Sequence, residues 1–335
     1  MNRALLACVA PVLLAGTALA GPGTGVVRAD SIEVELVTEH KSVQPGGEIH
    51  AGIRMKMDFG WHVYWRNPGD SGLPPTIKWS LPEGFVAGPI QWPAPHRIPI
   101  GGLVNYGYEG EVLLPVTIKA PPAQGGDVVR IAAKVDWQIC EEICILGEAE
   151  LELPVRVSKA APEVDDRWRE LFARTRRALP QAPPAGRVSA AVYGDEVELR
   201  WNGAATRMVF FPASDGMIEN AAEQLAVSFT GRSSVTQIML KPAGERTQPL
   251  ARVSGVVVIG SADARAAYAI DVPVGEPRAR ETSIGTQAAE TTRTNPDKPR
   301  PFTSFGTRHL LVLLGGVLLG FVLIWAMRKR GRPAG

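Results

Sequence analysis

The stretch Arg130-Ile131-Ala132-Ala133-Lys134-Val135-Asp136-Trp137-Gln138-Ile139-Cys140-Glu141-Glu142-Ile143-Cys144, followed shortly by Glu148-Ala149-Glu150-Leu151-Glu152-Leu153, decides how this chain folds. Both flanks read as strands. The two cysteines lie four positions apart, which on one straight strand is about 13 Å at ~3.3 Å per residue, beyond the roughly 4.4 to 6.8 Å that a disulfide spans between Cα atoms. If they pair, the chain must turn between them, by one helical turn or by a hairpin. With strands on either side, the reading is a hairpin with Glu141-Glu142-Ile143 at its tip, a common loop length. Cys140 and Cys144 are then cross-strand neighbours at the end of a sheet. A disulfide closing so small a ring adds little stability, because the chain-entropy gain grows with loop length, so the bond can be opened without loss of the fold. Trp137, on the incoming strand, makes Cys140 the more buried of the pair.

The chain has three cysteines in 335 residues. Cys8 lies in a leader: Met1-Asn2-Arg3 gives a positive start, residues 4–14 an apolar run, and Ala18-Leu19-Ala20 a small-residue cleavage site. Residues 1–20 are therefore expected to be a signal peptide, leaving Cys140 and Cys144 as the only thiols of an exported protein. Two such close thiols point to one redox or metal site rather than a stapled scaffold. At the other end, residues 310–327 carry no charge and precede Arg328, Lys329, Arg330 and Arg332. They are expected to form a transmembrane helix with residues 328–335 as a basic cytoplasmic tail; the leader places residues 21–307 outside. Gly316 and Gly320 form a small-xxx-small pair within this span.

A net charge of +2 and a hydrophobic fraction of 45% describe an ordinary globular ectodomain, not a nucleic-acid binder or a disordered chain. No Ser/His/Asp arrangement, phosphate-cradling glycine loop or zinc spacing stands out, which sets aside hydrolase and nucleotide-binding readings. Alternating or β-branched runs at 32–39, 48–57, 61–66, 112–119, 128–139 and 145–157 place a first β-sandwich at 29–159, with 67–108 read as a long loop rich in Pro, Gly and Trp. Residues 162–179 read as an amphipathic helix, and 162–184 as a helical connector packed on a neighbouring domain. Strands at 189–201, 207–211, 226–230, 235–240, 252–259 and 267–274 give a second β-sandwich at 186–275 that has no Cys or His. Residues 276–307 form a flexible linker. The fold class is all-β: two sandwiches in tandem, one connecting helix and one C-terminal span.

The run from Trp61-His62-Val63-Tyr64-Trp65-Arg66-Asn67-Pro68-Gly69-Asp70-Ser71-Gly72 to Pro75, then Trp92-Pro93, Tyr106-Gly107-Tyr108-Glu109-Gly110, Leu114 to Ile118 and Trp137 to Cys144, resembles the periplasmic N-terminal domain of the DsbD thiol:disulfide interchange reductases, most closely the ScsB-like branch. The resemblance covers about residues 30–158. It extends to Phe210-Phe211-Pro212 with Asp215-Gly216, which resembles the second β-domain of that branch. It implies immunoglobulin-like sandwiches in which Cys140 and Cys144 cycle between dithiol and disulfide, the second cysteine attacking, with Tyr64 and Tyr106 among the aromatics around them. It also implies a bacterial inner-membrane protein with its ectodomain in the periplasm. Its partners would be a periplasmic thioredoxin-like or disulfide-isomerase-like protein and a separate membrane electron transporter, because this sequence shows one apolar span and no further cysteine. Gly101 to Asn105 replaces the acidic-aromatic cap of the enterobacterial form, and Leu146 stands where a Pro often follows the second Cys.

The expected function is thus that of a membrane-anchored thiol:disulfide oxidoreductase component that needs an external electron donor and no cofactor beyond its own disulfide. Asp136, Glu141 and Glu142 would by their charge raise the thiol pKa and favour slow, selective donation. Two alternatives stay open. The same thiols with His62, or with His96, Met55 or Met57, are soft ligands suited to Cu(I). The disulfide could instead be structural in an interaction scaffold. Trp61, Trp65, Trp79 and Trp92 read as core and loop anchors, and His40 and His50 as surface residues.

Overall fold

The structure, a computed structural model, describes residues 23–276 apart from 123–126, 232, 245–249 and 261–264. The signal peptide, the linker beyond Glu276, the transmembrane segment and the tail lie outside the described residues. Among the described residues no helix is long and apolar enough to cross a membrane. All of them belong to one compact unit.

Twelve strands build the first sandwich: β1 (Val27–Ala29), β2 (Ile32–Thr38), β3 (Ser42–Val43), β4 (Glu48–Met57), β5 (His62–Gly69), β6 (Thr76–Ser80), β7 (Val86–Ala87), β8 (His96–Ile100), β9 (Leu103–Glu109), β10 (Glu111–Lys119), β11 (Val128–Cys140) and β12 (Cys144–Val157). One sheet runs β1-β2-β4-β10-β7, the other β3-β12-β11-β5-β9-β8, with β6 also on β11. Period-2 alternation explains the layering. In β11 residues 129, 131, 133, 135, 137 and 139 are buried and their neighbours less so, which turns Ile131, Val135, Trp137 and Ile139 inward onto Val34, Ile53 and Leu114 of the other sheet.

The region read as a loop at 67–108 instead holds β6, β7, β8 and β9. Its signal was absent for two physical reasons: β6 alternates only between half-buried and exposed, and β9 is buried at five successive positions, so neither shows an in/out period. The helix, α1 (Arg169–Ala178), starts later than its apolar stripe suggests. Residues 163–165 are drawn into extended pairing with the first sandwich, through Lys41 N–H to Glu163 O, Asp165 N–H to Glu39 O and a bridge between His40 and Val164. Leu171 and Phe172 then bury against Val37 and Leu113 on the outer side of the first sheet. Arg176 forks onto Glu39 at 2.7 and 2.8 Å.

The second sandwich comprises β13 (Val188–Tyr193), β14 (Glu196–Trp201), β15 (Arg207–Pro212), β16 (Val227–Phe229), β17 (Val235–Leu240), β18 (Arg252–Gly260) and β19 (Arg265–Gly275), in the order β15-β18-β19-β13-β14-β17-β16. The single strand expected at 189–201 is a hairpin. Tyr193 faces Glu196 across Gly194-Asp195, and Gly194 takes the positive φ that such a two-residue turn requires. The two sandwiches share a core: Phe211 stands edge-on to Tyr106 at 5.3 Å and to Trp65 at 6.3 Å, and Val209, Val256 and Val258 belong to the same apolar cluster as the first sandwich.

Candidate functional site

β11 and β12 pair in unbroken antiparallel register from Val128 opposite Arg156 to Cys140 opposite Cys144. That register, dictated by thirteen alternating residues, is what brings the thiols together. Cys140 and Cys144 form a disulfide with Cα atoms 4.2 Å apart, and the Glu141 N–H closes the three-residue tip onto Ile143 O at 3.0 Å. The two sulfurs sit in unlike surroundings. Cys140 is 1% exposed, held between β12 and β5, where it pairs with His62. Cys144 is exposed, on a strand whose other edge pairs with β3 only at Arg156 and Val157. An incoming sulfur therefore reaches Cys144 and not Cys140.

Strand alternation sorts the neighbours by face. Trp137, Ile139, Val63, Trp65, Tyr106 and Tyr108 point into the core. Asp136, Gln138, Cys140, His62 and Tyr64 point the other way. Tyr64 is fully buried there and its hydroxyl lies 3.9 Å from Cys144 Sγ. Burial raises the Tyr64 pKa, against an opposing hydrogen bond from Ser71, so the phenol keeps its proton and can donate to a thiolate. His62 is 1% exposed, packs edge-on to the Tyr64 ring at 5.1 Å and is pulled down to a pKa of about 4 by desolvation, which leaves the imidazole neutral at neutral pH. Its Nε2 and the Oε1 of Gln138 are buried without a hydrogen-bond partner.

Tyr64 is covered by loop 70–72. A Cβ on Gly72, whose φ is +100°, would come within 2.1 Å of the Tyr64 ring, so only glycine lets the loop lie this close. Asp70 and Ser71 anchor it: Val104 N–H donates to Asp70 Oδ2 at 2.7 Å, and both the N–H and hydroxyl of Ser71 donate to Asn105 Oδ1. Sequence reading did not single out this loop; the signal available was two glycines, Gly69 and Gly72, bracketing Asp70-Ser71.

Of the residues expected around the pair, the structure places Tyr64 beside Cys144, and Glu141 and Glu142 at the hairpin tip, Glu141 lying along Gly60. Asp136 is on the same face, accepting from Thr76 at 3.3 Å. Trp137 packs in the core against Gly147, which faces it across the hairpin. Tyr106 is not brought to the disulfide. It lies on the opposite face of the sheet, its hydroxyl donating to Asn220 Oδ1 of the second sandwich at 2.9 Å. The alternation of β9 against β5 forces this, because Gly107 and not Tyr106 stands across from Tyr64. Of the alternative Cu(I) ligands, His62 is at the pair, Met55 and Met57 are in the core, and His96 contacts Arg265. Among the described residues no group of three or more His, Cys, Asp or Glu side chains is assembled to hold a metal. His40 and His50 are half-buried with rings 6.2 Å apart. Near the tip, Phe59 is 97%, Ile143 63% and Leu146 70% exposed, an apolar rim that hydropathy patterning did not single out.

A β-sandwich edge carrying a disulfide with one accessible sulfur is the architecture of a thiol:disulfide interchange domain. Residues 32–156 match the family model described as thiol:disulfide interchange protein DsbD, N-terminal, and this segment is a DsbD-type N-terminal domain. The fold is similar to the crystal structure of the N-terminal periplasmic domain of ScsB from Proteus mirabilis, at 17% identity and a TM-score of 0.54 over 76% of this chain and 99% of that one. A chimeric titin Z1Z2 structure aligns at 11% identity over 74% of this chain and 99% of that one, with a TM-score of 0.16 that carries no weight. No curated protein matches the chain.

Proposed function

We propose that this protein is a membrane-anchored periplasmic electron relay whose Cys140–Cys144 pair exchanges with thioredoxin-like or disulfide-isomerase-like partners. The observation that carries the reading is the asymmetry of the pair, Cys144 open and Cys140 buried behind it. In the dithiol form the Cys144 thiolate attacks one sulfur of a partner disulfide, and the partner's other sulfur leaves as a thiolate and takes a proton. Cys140 then loses its proton and attacks Cys144 Sγ, releasing the partner's second thiol. Two electrons and two protons pass to the partner, and the Cys140–Cys144 bond re-forms. The same steps in reverse, with a dithiol of a separate membrane transporter as donor, reload the pair. Tyr64 donates to the Cys144 thiolate, and the apolar rim of Phe59, Ile143 and Leu146 suits docking of an uncharged partner surface around a protruding cysteine.

Capture of mixed disulfides tests this. With Cys140→Ser the adduct at Cys144 has no resolving thiol, so complexes accumulate on non-reducing gels; with Cys144→Ser few form. Equal trapping by both variants, or by neither, counts against the relay.

A second reading is favoured by one observation: the register neighbours of Cys140 are Cys144 and the neutral, buried His62, two thiolates and an imidazole suited to Cu(I) once the bond is reduced. Under that reading Cys140→Ser and Cys144→Ser lose Cu(I) affinity alike and neither accumulates adducts.

A further inference from the structure

The second sandwich carries no Cys or His, so it takes no part in sulfur chemistry, yet it makes a directed polar contact toward the disulfide. Arg97 of the first sandwich donates to the carbonyls of Asn220 at 2.7 Å and Ala222 at 3.0 Å, fixing the backbone on either side of the Asn220 side chain. Tyr106 donates to Asn220 Oδ1, which turns the amide so that Nδ2 donates to Asp70 Oδ1 at 2.9 Å. Asp70 begins the loop whose Gly72 lies on the Tyr64 ring, and Tyr64 reaches Cys144. With Val104 N–H on its other oxygen, the Asp70 carboxylate is held from both sides, one of them supplied by the second sandwich. Two residues earlier, Asn67 Nδ2 donates to Pro212 O, a further tie from the same segment to the second sandwich.

We propose that the second sandwich acts as a brace for the thiol site: Asn220 is a positioning residue that, through Asp70, holds loop 70–72 closed over Tyr64 and so limits access to Cys144. The inference rests on the exchange reading above. A loop held by one charge-assisted hydrogen bond across a domain seam opens more often when that bond is lost, because such bonds are stronger than neutral ones and the open state is populated in proportion. Opening uncovers Tyr64 and the sulfur beside it.

The test measures the rate at which dithiothreitol reduces Cys140–Cys144 in the full chain in detergent, under conditions where every variant is folded. Asn220→Asp keeps side-chain volume but removes the donor and sets a second carboxylate against Asp70; Asp70→Asn loses the charge. Each single variant is expected to react roughly tenfold faster than the parent, the shift that follows from losing a hydrogen bond to a charged group. The Asp70→Asn/Asn220→Asp double variant restores the bond with its direction reversed and returns the rate to near the parent value. Arg176→Ala, which removes the Glu39 ion pair at the helix, serves as a control for general destabilisation and leaves the rate unchanged. Single variants with the parent's rate, or a double variant as fast as the singles, overturn the brace while leaving the exchange reading intact. A parent disulfide that dithiothreitol does not open in the folded protein overturns both.

Discussion

Removing the disulfide is expected to leave the fold standing. The perturbation is Cys140→Ala/Cys144→Ala, chosen because Ala leaves no unpaired hydroxyl at the buried position. The bond joins residues separated by four in sequence, so the ring it closes holds five residues. The chain-entropy relation gives about 2 kcal/mol for a loop of that size, against about 3 for fifteen residues and about 4.7 for a hundred. The hairpin itself is held by the thirteen-residue register of β11 on β12 and by Ile131, Val135, Trp137 and Ile139 in the shared core, none of which depends on the crosslink. Urea unfolding followed by tryptophan fluorescence should therefore show a single transition with unchanged slope and a midpoint displaced by about 2 kcal/mol divided by that slope. A loss above about 4 kcal/mol, or a broadened transition, would refute the argument that this bond is structurally dispensable.

Two further outcomes follow from the neighbours. His62 holds a folded pKa of about 4 against an ordinary 6.5, so the unfolded chain binds a proton there that the folded protein refuses. Its contribution is complete above pH 6.5 and is lost as pH falls toward 4, about 3 kcal/mol over the window, and the difference between the stability–pH curves of the parent and His62→Phe should isolate it. Tyr64→Phe removes the hydroxyl near Cys144 and should slow iodoacetamide alkylation of that thiol at neutral pH a few-fold in a Cys140→Ser background, by raising its pKa; an unaltered pH–rate profile would deny Tyr64 that role.

Much of the first sandwich was legible because its strands obey one period. β4 and β17 occupy the spans their alternation predicts, and the hairpin tip falls at Glu141-Glu142-Ile143, since one buried face fixes the register. Where a strand is exposed on both faces, as β6, or buried on both, as β9, the sequence has no period to read. The helix boundary was misjudged because tertiary pairing of residues 163–165 outbids a continuous apolar stripe. At the site, the two cysteines and Tyr64 could be singled out from the chain. The opposite face of Tyr106, and the path from Asn220 through Asp70 to Tyr64, could not, because they depend on contacts between residues up to 150 positions apart that leave no local pattern.

The central claim, that Cys140–Cys144 is an exchanging and not a structural bond, is met most directly by its reduction potential. Equilibrating the full chain in graded thiol–disulfide buffers and counting free thiols by mass-tagging should give a two-electron titration with a midpoint well above about −300 mV, among exchange catalysts. A bond that stays closed until about −300 mV or below would contradict it and return the disulfide to a structural role.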